Sequence, residues 1–254
     1  MPADESGLAA PWAPTPNAPS DELCAARLRV GWHAGQGYRR KVIREEVALR
    51  RLEYESAGLD PADMADTPYP EFESWFAGAL DVELHEPGAF VLATVDAQGR
   101  PSARAVLLKD FSEDGLAFYT GLASRKSRDL RVNDRAAATF VWTPLHRQIR
   151  FEGAVTEVSD EDADAYFATR PRGAQIAAHA SRQSEVVASR AELDDRYAEL
   201  DAEFDDEIPR PDDWGGWRLS PILVEFWQGR PNRFHDRVMY RLEGETWVKE
   251  RLAP

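Results

Sequence analysis

The residues best suited to ligand chemistry lie near the C-terminus, between Val224 and Arg237, in the sequence V-E-F-W-Q-G-R-P-N-R-F-H-D-R. Arg233, His235 and Arg237 occupy alternate positions, so an extended backbone would direct all three side chains to one face. Such a row, beside aromatic residues, suits a surface that binds a flat, anionic, aromatic ligand. A solvated strand edge protected by charged side chains is the alternative, and spacing alone does not separate the two.

Charge distribution points to a second candidate site. The protein carries a formal net charge of −14, so its average surface repels nucleic acid and anionic membranes. Between Arg104 and Arg150, however, nine arginines and lysines stand against five acidic residues, a local excess of four positive charges. This inversion predicts an anion site, although a solvated basic face would give the same count.

Within that basic segment, Ser124 precedes Arg125 and Lys126 where a short helix is predicted to begin. Backbone N–H groups, the positive helix end and the two cations could converge on one phosphate. The glycine-lysine-serine/threonine order of a Walker A loop is absent. The pattern therefore predicts a phosphate site of another kind.

A further phosphate site is indicated by Tyr166 and Arg170, which are four residues apart in a predicted helix. Residues at this spacing lie on one helix face. A phenol and a guanidinium so placed can hold the dianion of a phosphate monoester.

The elements that must position these residues are helices followed by short strands. Helices are predicted over 41–57, ended by Gly58, and over 70–84, 160–169 and 185–204, with a short one from about Ser124. Apolar and polar residues that alternate with a period of two predict strands over 90–95, 103–109, 116–120, 136–142, 148–158, 222–227, 235–242 and 246–251. The run Trp214-Gly215-Gly216-Trp217 is interpreted as a tight turn with packed indoles. The fold class is mostly β with flanking helices, an antiparallel barrel, since closure removes exposed strand edges.

Arg104 and Lys109 share one predicted strand but have opposite parity, so a regular strand would direct them to opposite faces. Both can reach the same ligand only if a bulge intervenes or Lys109 lies at the end of the strand.

Composition bounds the class of protein. The chain has 254 residues, 43% of them apolar, which suffices for one sizeable domain. Five prolines within residues 1–22 predict a flexible tail. Cys24 is the only cysteine and the five histidines are scattered, so neither a disulfide nor a metal site is expected. Without a secretory signal or an apolar run of about 20 residues, the protein is expected in the cytoplasm and away from membranes.

The arrangement W-Q-x4-R-[apolar]-H-D-R, from Trp227 to Arg237, resembles the C-terminal signature of pyridoxamine/pyridoxine 5'-phosphate oxidases, flavin enzymes that make pyridoxal 5'-phosphate. Phe234 stands where a smaller aliphatic residue is expected. The resemblance covers roughly Arg51 to Pro254 and implies an FMN-binding split barrel over residues 48–254, with FMN at the interface of a homodimer. Residues 1–47 form an extension without a counterpart.

The resemblance also implies ligand sets. FMN binding is implied for Arg104, Val106, Lys109, Tyr119, Thr120, Arg125, Lys126, Gln148, Gln183, Ser184, Trp227 and Arg237. Substrate binding is implied for Arg51, Tyr54, Lys109, Tyr166, Arg170, Arg233 and His235, of which Arg233 and His235 are the candidate catalytic residues. Where some members use a serine on the substrate phosphate, this chain has Ala174.

The implied reaction is the oxidation of pyridoxamine or pyridoxine 5'-phosphate to pyridoxal 5'-phosphate, with dioxygen as acceptor and hydrogen peroxide as product. His235 is a candidate general base by its pKa range, and Arg233 contributes charge and shape. Two alternatives stay open: a related flavin oxidase acting on a phenazine-type substrate, and a non-catalytic flavin- or pyridoxal-phosphate-binding protein. The presence of both ligand sets favours the vitamin B6 reaction.

Overall fold

The structure, a computed structural model, describes residues 58–254. The predicted extension over 1–47, its flexible tail and the helix predicted over 41–57 lie outside the described residues, and so do Arg51 and Tyr54. These stay predictions.

Five helices are present in the described part of the chain: α1 (Pro68–Asp81), α2 (Arg125–Val132), α3 (Asp160–Ala168), α4 (Arg172–Ala180) and α5 (Arg190–Glu203). The helix predicted over 185–204 begins late, at Arg190, because Ser189 ends the preceding loop and accepts the Glu192 N–H at 3.2 Å. Helix α4 was not predicted, since all of its nine residues except Ile176 are small or polar and only Ile176 is buried. None of these helices has the length and apolar character needed to cross a bilayer.

Nine strands form one antiparallel sheet within residues 58–254. Seven of the eight predicted strands are confirmed with ends shifted by at most two residues, whereas the strand predicted over 222–227 begins at Trp214 and the short strand at 110–112 was not predicted. The nine strands are β1 (Ala89–Val95), β2 (Pro101–Leu107), β3 (Asp110–Ser112), β4 (Gly115–Gly121), β5 (Arg135–Trp142), β6 (Arg147–Glu157), β7 (Trp214–Gln228), β8 (Asp236–Glu243) and β9 (Thr246–Leu252). Their order is β2-β1-β5-β6-β7-β4-β3, while β8 pairs with β7 and β9.

The predicted turn at Trp214-Gly215-Gly216-Trp217 is wrong, because these residues begin the long strand β7 and pair with β4. A Cβ atom at Gly216 would lie 2.7 Å from Tyr119 Cδ1, and one at Gly215 would lie 3.0 Å from Leu122 Cδ1. The two glycines therefore allow side chains of the neighbouring strand and loop to lie against β7, and they do not mark a turn.

Strand β7 divides the sheet into a split barrel. Along one side it pairs with β6, but on the other side residues 214–219 pair with β4 and residues 223–228 pair with β8. At the changeover the β6–β7 register shifts beside Gly153. Just beyond the end of β2 the chain contacts β4, where the Lys109 N–H donates to Ala117 O at 2.9 Å. This contact closes the barrel. The predicted split barrel with flanking helices is confirmed.

Gly153 permits the close approach of β6 and β7, because a Cβ atom there would lie 2.0 Å from the Ser220 carbonyl oxygen. We expect Gly153→Ala to lower the free energy of unfolding by about 3 kcal/mol, since backbone must move to relieve the overlap. Gly78→Ala in α1 is the matched control, because its Cβ would be 3.7 Å from Arg147 Nη1. Denaturant unfolding of both variants measures the difference, and equal midpoints would contradict the prediction.

Helix α1 fills the barrel. The Phe72 ring lies 5.2 Å from both Phe140 and Phe151, and Trp75 lies 5.1 Å from Phe226. A second apolar cluster joins helices α3, α4 and α5 to the start of β7, with Phe167 and Trp214 at 5.0 Å. This second cluster fixes α3 and α4 beside β4, where they border a cleft.

Candidate functional site

A cleft of about 960 Å³ lies between β2, the end of β4, the start of α2 and the helices α3 and α4. Most of the predicted ligand residues line it: Arg104, Val106, Lys109, Tyr119, Thr120, Arg125, Lys126, Tyr166, Arg170, Gln183 and Ser184. The structure thus brings together residues from five separate stretches of sequence. The cleft has one cationic end at α2 and another at α3.

At the α2 end, Lys126 is buried and its ammonium group is held by neutral oxygens. Its Nζ donates to Thr120 Oγ1 at 2.8 Å, to Gln183 Oε1 at 3.0 Å and to Ser124 Oγ at 3.3 Å. Burial, assisted by the nearby Arg104 guanidinium, lowers the pKa of Lys126 to about 8. A phosphate group here would supply the negative charge that these three partners lack.

The loop after α4 docks on the start of α2. Ser184 Oγ accepts the Arg125 N–H at 3.2 Å, and Gln183 Oε1 accepts the Gly121 N–H at 3.2 Å. Ser184 has a left-handed backbone with φ of 75°, a conformation that costs energy for a residue other than glycine. Ser124 begins α2 as predicted, although its hydroxyl contacts Lys126 and makes no capping bond. Backbone N–H groups and side chains of both segments therefore share one corner of the cleft.

Arg104 is fixed by residues that the sequence analysis missed. Its guanidinium donates to Thr94 Oγ1 at 2.7 Å and to Ser102 Oγ at 2.8 Å, and lies 3.8 Å from Asp129 Oδ2. Thr94 and Asp129 are both buried and bonded to each other at 2.7 Å. Burial lowers the pKa of Arg104. One feature of the sequence could have indicated them: Thr94 is polar, although it occupies the same face of β1 as the buried Phe90 and Leu92.

Lys109 lies just beyond the end of β2, which stops at Leu107. Of the two arrangements that the sequence left open, a bulge and a strand-end position, the structure has the second. Arg104 and Lys109 consequently both line the cleft despite their opposite parity.

At the α3 end, stacked aromatic rings carry an arginine. Tyr166 stacks on Tyr119 at 4.1 Å, and the Arg170 guanidinium carbon lies 4.7 Å from the centre of the Trp214 ring. Lys109 Nζ lies 6.0 Å from the Tyr166 ring. Trp214, predicted to be structural, lines the cleft as well.

Arg170 carries a donor that suits an anion. Its Nη1 is buried and has no hydrogen-bond partner within residues 58–254, and burial lowers its pKa. Buried donors are nearly always satisfied in folded proteins, so this one indicates a binding position for an acceptor such as a phosphate oxygen.

The remaining predicted residues form a separate group, which we name the C-terminal cluster: Gln148, Trp227, Arg233, His235 and Arg237. Gln148 of β6 is in register with Trp227 of β7, which is in register with Arg237 of β8. None of the five lines the cleft.

Within the C-terminal cluster, Arg237 is held by a buried carboxylate that the sequence analysis also missed. Its Nε contacts Glu225 Oε1 at 2.6 Å, which raises the pKa of Arg237. Arg150 Nη2 contacts the other Glu225 oxygen at 2.8 Å, and Ala253 O accepts from Arg237 Nη1 at 2.9 Å. Glu225 and the chain end thus fix the direction of the Arg237 side chain.

The predicted extended row of Arg233, His235 and Arg237 is wrong. Residues Pro231–Arg233 form a short 3-10 turn in which Asn232 and Arg233 have φ values of 58° and 61°, and β8 begins only at Asp236. Pro231 fixes its own φ and favours a turn start, and its carbonyl accepts the Phe234 N–H at 3.2 Å. His235 instead packs against Trp227, with ring centres 4.6 Å apart.

Two family models match the chain. Residues 76–203 match a model described as pyridoxamine 5'-phosphate oxidase, and residues 214–254 match one described as the pyridoxine 5'-phosphate oxidase C-terminal dimerisation region. A pyridoxine/pyridoxamine 5'-phosphate oxidase from Rubrobacter xylanophilus is 51% identical, over 83% of this chain and 98% of the relative. One from Thermosynechococcus vestitus is 47% identical, over 82% and 99%.

Solved structures share the architecture. PhzG from Burkholderia lata 383, in complex with tetrahydrophenazine-1-carboxylic acid, has a TM-score of 0.74 and 30% identity, over 77% of this chain and 98% of that one. A pyridoxamine 5'-phosphate oxidase-related, FMN-binding protein from Nostoc punctiforme has a TM-score of 0.61 and 19% identity, over 75% and 100%. The second likeness shows the fold alone.

Proposed function

Since this chain belongs to the pyridoxamine 5'-phosphate oxidase family of FMN-dependent oxidoreductases, we propose that it makes pyridoxal 5'-phosphate in the cytoplasm. Pyridoxine 5'-phosphate and dioxygen would yield the aldehyde and hydrogen peroxide. Pyridoxamine 5'-phosphate would additionally consume water and release ammonia. The observation that carries the proposal is a single cleft with two cationic ends, suited to two phosphorylated molecules in contact.

The α2 end fits the FMN phosphate. Arg125 and Lys126 supply positive charge beside the first turn of α2, while Arg104 stands on the neighbouring strand β2. The polar groups of Gln183 and Ser184 come from the docked loop. When bound, FMN supplies the electron-accepting ring that takes hydride from the substrate C4' carbon.

The α3 end fits the substrate phosphate. Arg170 offers a buried donor next to Tyr166, and Lys109 Nζ lies 6.0 Å from the Tyr166 ring. Anchoring the phosphate at this end restricts where the pyridine ring can lie, so the binding energy of the phosphate helps to orient the ring for reaction. The unphosphorylated vitamers should therefore react poorly.

We further propose that residues 48–254 form one domain that acts as a homodimer with FMN at the interface. The matched dimerisation region contains four members of the C-terminal cluster: Trp227, Arg233, His235 and Arg237. Because the cluster does not line the cleft of its own subunit, it would complete the cleft of the other subunit. There Arg233 and His235 would contact the pyridine ring and its substituents.

A second candidate is oxidation of a phenazine-type substrate, favoured by the likeness to PhzG. The set of Lys109, Tyr166 and Arg170 argues for a phosphorylated substrate instead, because a carboxylated tricycle needs no such cluster of phosphate-binding groups.

The test is to purify the protein, record its flavin absorbance, and follow oxygen consumption and peroxide with five compounds. They are both phosphorylated vitamers, both unphosphorylated vitamers and tetrahydrophenazine-1-carboxylic acid. Turnover of the phosphorylated vitamers is expected. Turnover of the tricycle alone would favour the second candidate, and a yellow protein without any peroxide would indicate a binding protein.

Ala174 lines the cleft two residues into α4, near Arg170 in sequence, and its methyl group cannot bond a phosphate. We expect Ala174→Ser to lower KM for pyridoxine 5'-phosphate about tenfold with little change in kcat, since a hydrogen bond to a charged group contributes about 1.5 kcal/mol or more. Steady-state kinetics measures this. Ala177→Ser, on the same helix, is the control, and an equal effect from both would contradict the assignment.

A further inference from the structure

The C-terminal cluster contains one hydrogen bond that fixes a proton position. The backbone N–H of Arg230 donates to Nδ1 of His235 at 3.1 Å. A backbone N–H can only donate, so Nδ1 must accept through its lone pair. In a neutral imidazole with an accepting Nδ1, the single N–H is on Nε2.

We infer that the Arg230 backbone amide holds His235 as the Nε2–H tautomer, so that His235 donates a hydrogen bond to the substrate and does not act as a general base. This inference rests on the proposed function for the contact between His235 and substrate, but the tautomer itself does not. It replaces the general-base role considered from the sequence, because a neutral His235 could take up a proton only at Nδ1, by breaking the bond from Arg230.

The surroundings of His235 favour the neutral ring. Burial, followed by the charge of Arg233, lowers its pKa from the usual value. The Trp227 ring packs 4.6 Å from the imidazole centre and restricts its rotation. A neutral ring with one fixed N–H is what a hydrogen-bond donor requires.

The turn that carries the Arg230 amide is anchored at both ends. The neighbouring Gly229 N–H donates to His146 O at 2.7 Å. Arg230 Nε lies 3.4 Å from Asp236 Oδ2, and Arg251 Nη1 contacts Asp236 Oδ1 at 2.8 Å. These contacts hold both ends of the turn whose amide donates to the imidazole.

Nitrogen NMR of the FMN-loaded protein with 15N-labelled histidine tests the tautomer directly. The protein has five histidines, and the signals missing from His235→Gln identify those of His235. At pH 7.5 we expect a protonated Nε2 and an unprotonated Nδ1. A proton on Nδ1, or on both nitrogens, would overturn the inference whatever the activity.

A pair of substitutions tests the role. The glutamine amide nitrogen can reach the place of Nε2 and donate, whereas asparagine reaches only the place of Nδ1. We expect His235→Gln to lose no more than about tenfold in kcat and His235→Asn to lose at least tenfold more, with FMN retained in both. A general base would cost about 100-fold or more in both variants and remove one limb of the pH profile. A wild-type protein that oxidises neither phosphorylated vitamer would overturn the proposed function, while the NMR result would still decide the tautomer.

Discussion

Replacing Arg170 with alanine is expected to lower kcat/KM for pyridoxine 5'-phosphate about 100-fold while FMN stays bound. A hydrogen bond to a charged group contributes about 1.5 to 3 kcal/mol, and Arg170 can offer more than one to a phosphate. Its guanidinium stacks on Trp214 at 4.7 Å, so the side chain is already oriented before substrate binds. Little ordering entropy is then lost on binding, which favours the upper part of that range.

The measurement is steady-state kinetics of Arg170→Ala with phosphorylated and unphosphorylated pyridoxine. The loss should be confined to the phosphorylated compound, because only that compound has the group that Arg170 contacts. Arg196→Ala is the matched control, since it removes the same charge from the exposed surface of α5, where Arg196 lies 3.6 Å from Glu199. An unchanged KM in Arg170→Ala, with flavin absorbance intact, would show that the substrate phosphate binds elsewhere.

Local sequence patterns correctly predicted the secondary-structure elements that are determined by residues close together in the sequence. Alternating burial marks β1 and β5, and those strands were predicted within a residue or two of their ends. The parity of Arg104 and Lys109 required a break in the strand, and β2 ends between them, at Leu107. Helical spacing predicted that Tyr166 and Arg170 share one helix face, but α3 ends at Ala168 and Arg170 follows it. Both residues nevertheless line the cleft.

Features that are determined by contacts with residues far away in the sequence could not be predicted from such patterns. The glycines at 215 and 216 resemble a turn locally, but they are required by the side chains of Tyr119 and Leu122, about 95 residues earlier. The alternation of Arg233 and His235 suggested a strand, whereas Pro231 imposes a turn that the alternation does not reveal.

Buried polar partners were missed for a related reason. Glu225 lies in an apolar run and looks like an isolated acid, but its two oxygens contact Arg150 and Arg237 on the two flanking strands. Which cations flank it depends on strand register, and register is set by pairings along the whole sheet.

FMN affinity is expected to fall as pH rises above about 8, and Lys126 is the reason. Without a ligand, burial holds the pKa of Lys126 at about 8, so the ammonium loses its proton above that pH. A phosphate dianion beside Nζ favours the charged form and raises this pKa. The complex then holds a proton that the free protein lacks, and affinity declines by up to about tenfold per pH unit. The phosphate itself, with a second pKa near 6, stays a dianion over this window.

The stability of the apoprotein should change with pH in the opposite direction. The Lys126 pKa is lowered from 10.5 to about 8 on folding, so between these values the unfolded chain binds a proton that the folded chain does not. Unfolding is then disfavoured as pH rises through this window. General alkaline unfolding would lower both the FMN affinity and the stability of the apoprotein. It therefore cannot explain FMN binding that weakens while the apoprotein becomes more stable.

Titration of the apoprotein with FMN from pH 7 to 9.5, followed by flavin fluorescence, measures the effect. Lys126→Met should bind FMN about 100-fold more weakly at pH 7 and lose the decline above pH 8, since the titrating charge is gone. Lys249→Met is the control, because Lys249 does not line the cleft and donates to Met64 O at 2.7 Å instead. If Lys126→Met kept the wild-type pH dependence, another group would be responsible and the phosphate would not lie beside Nζ.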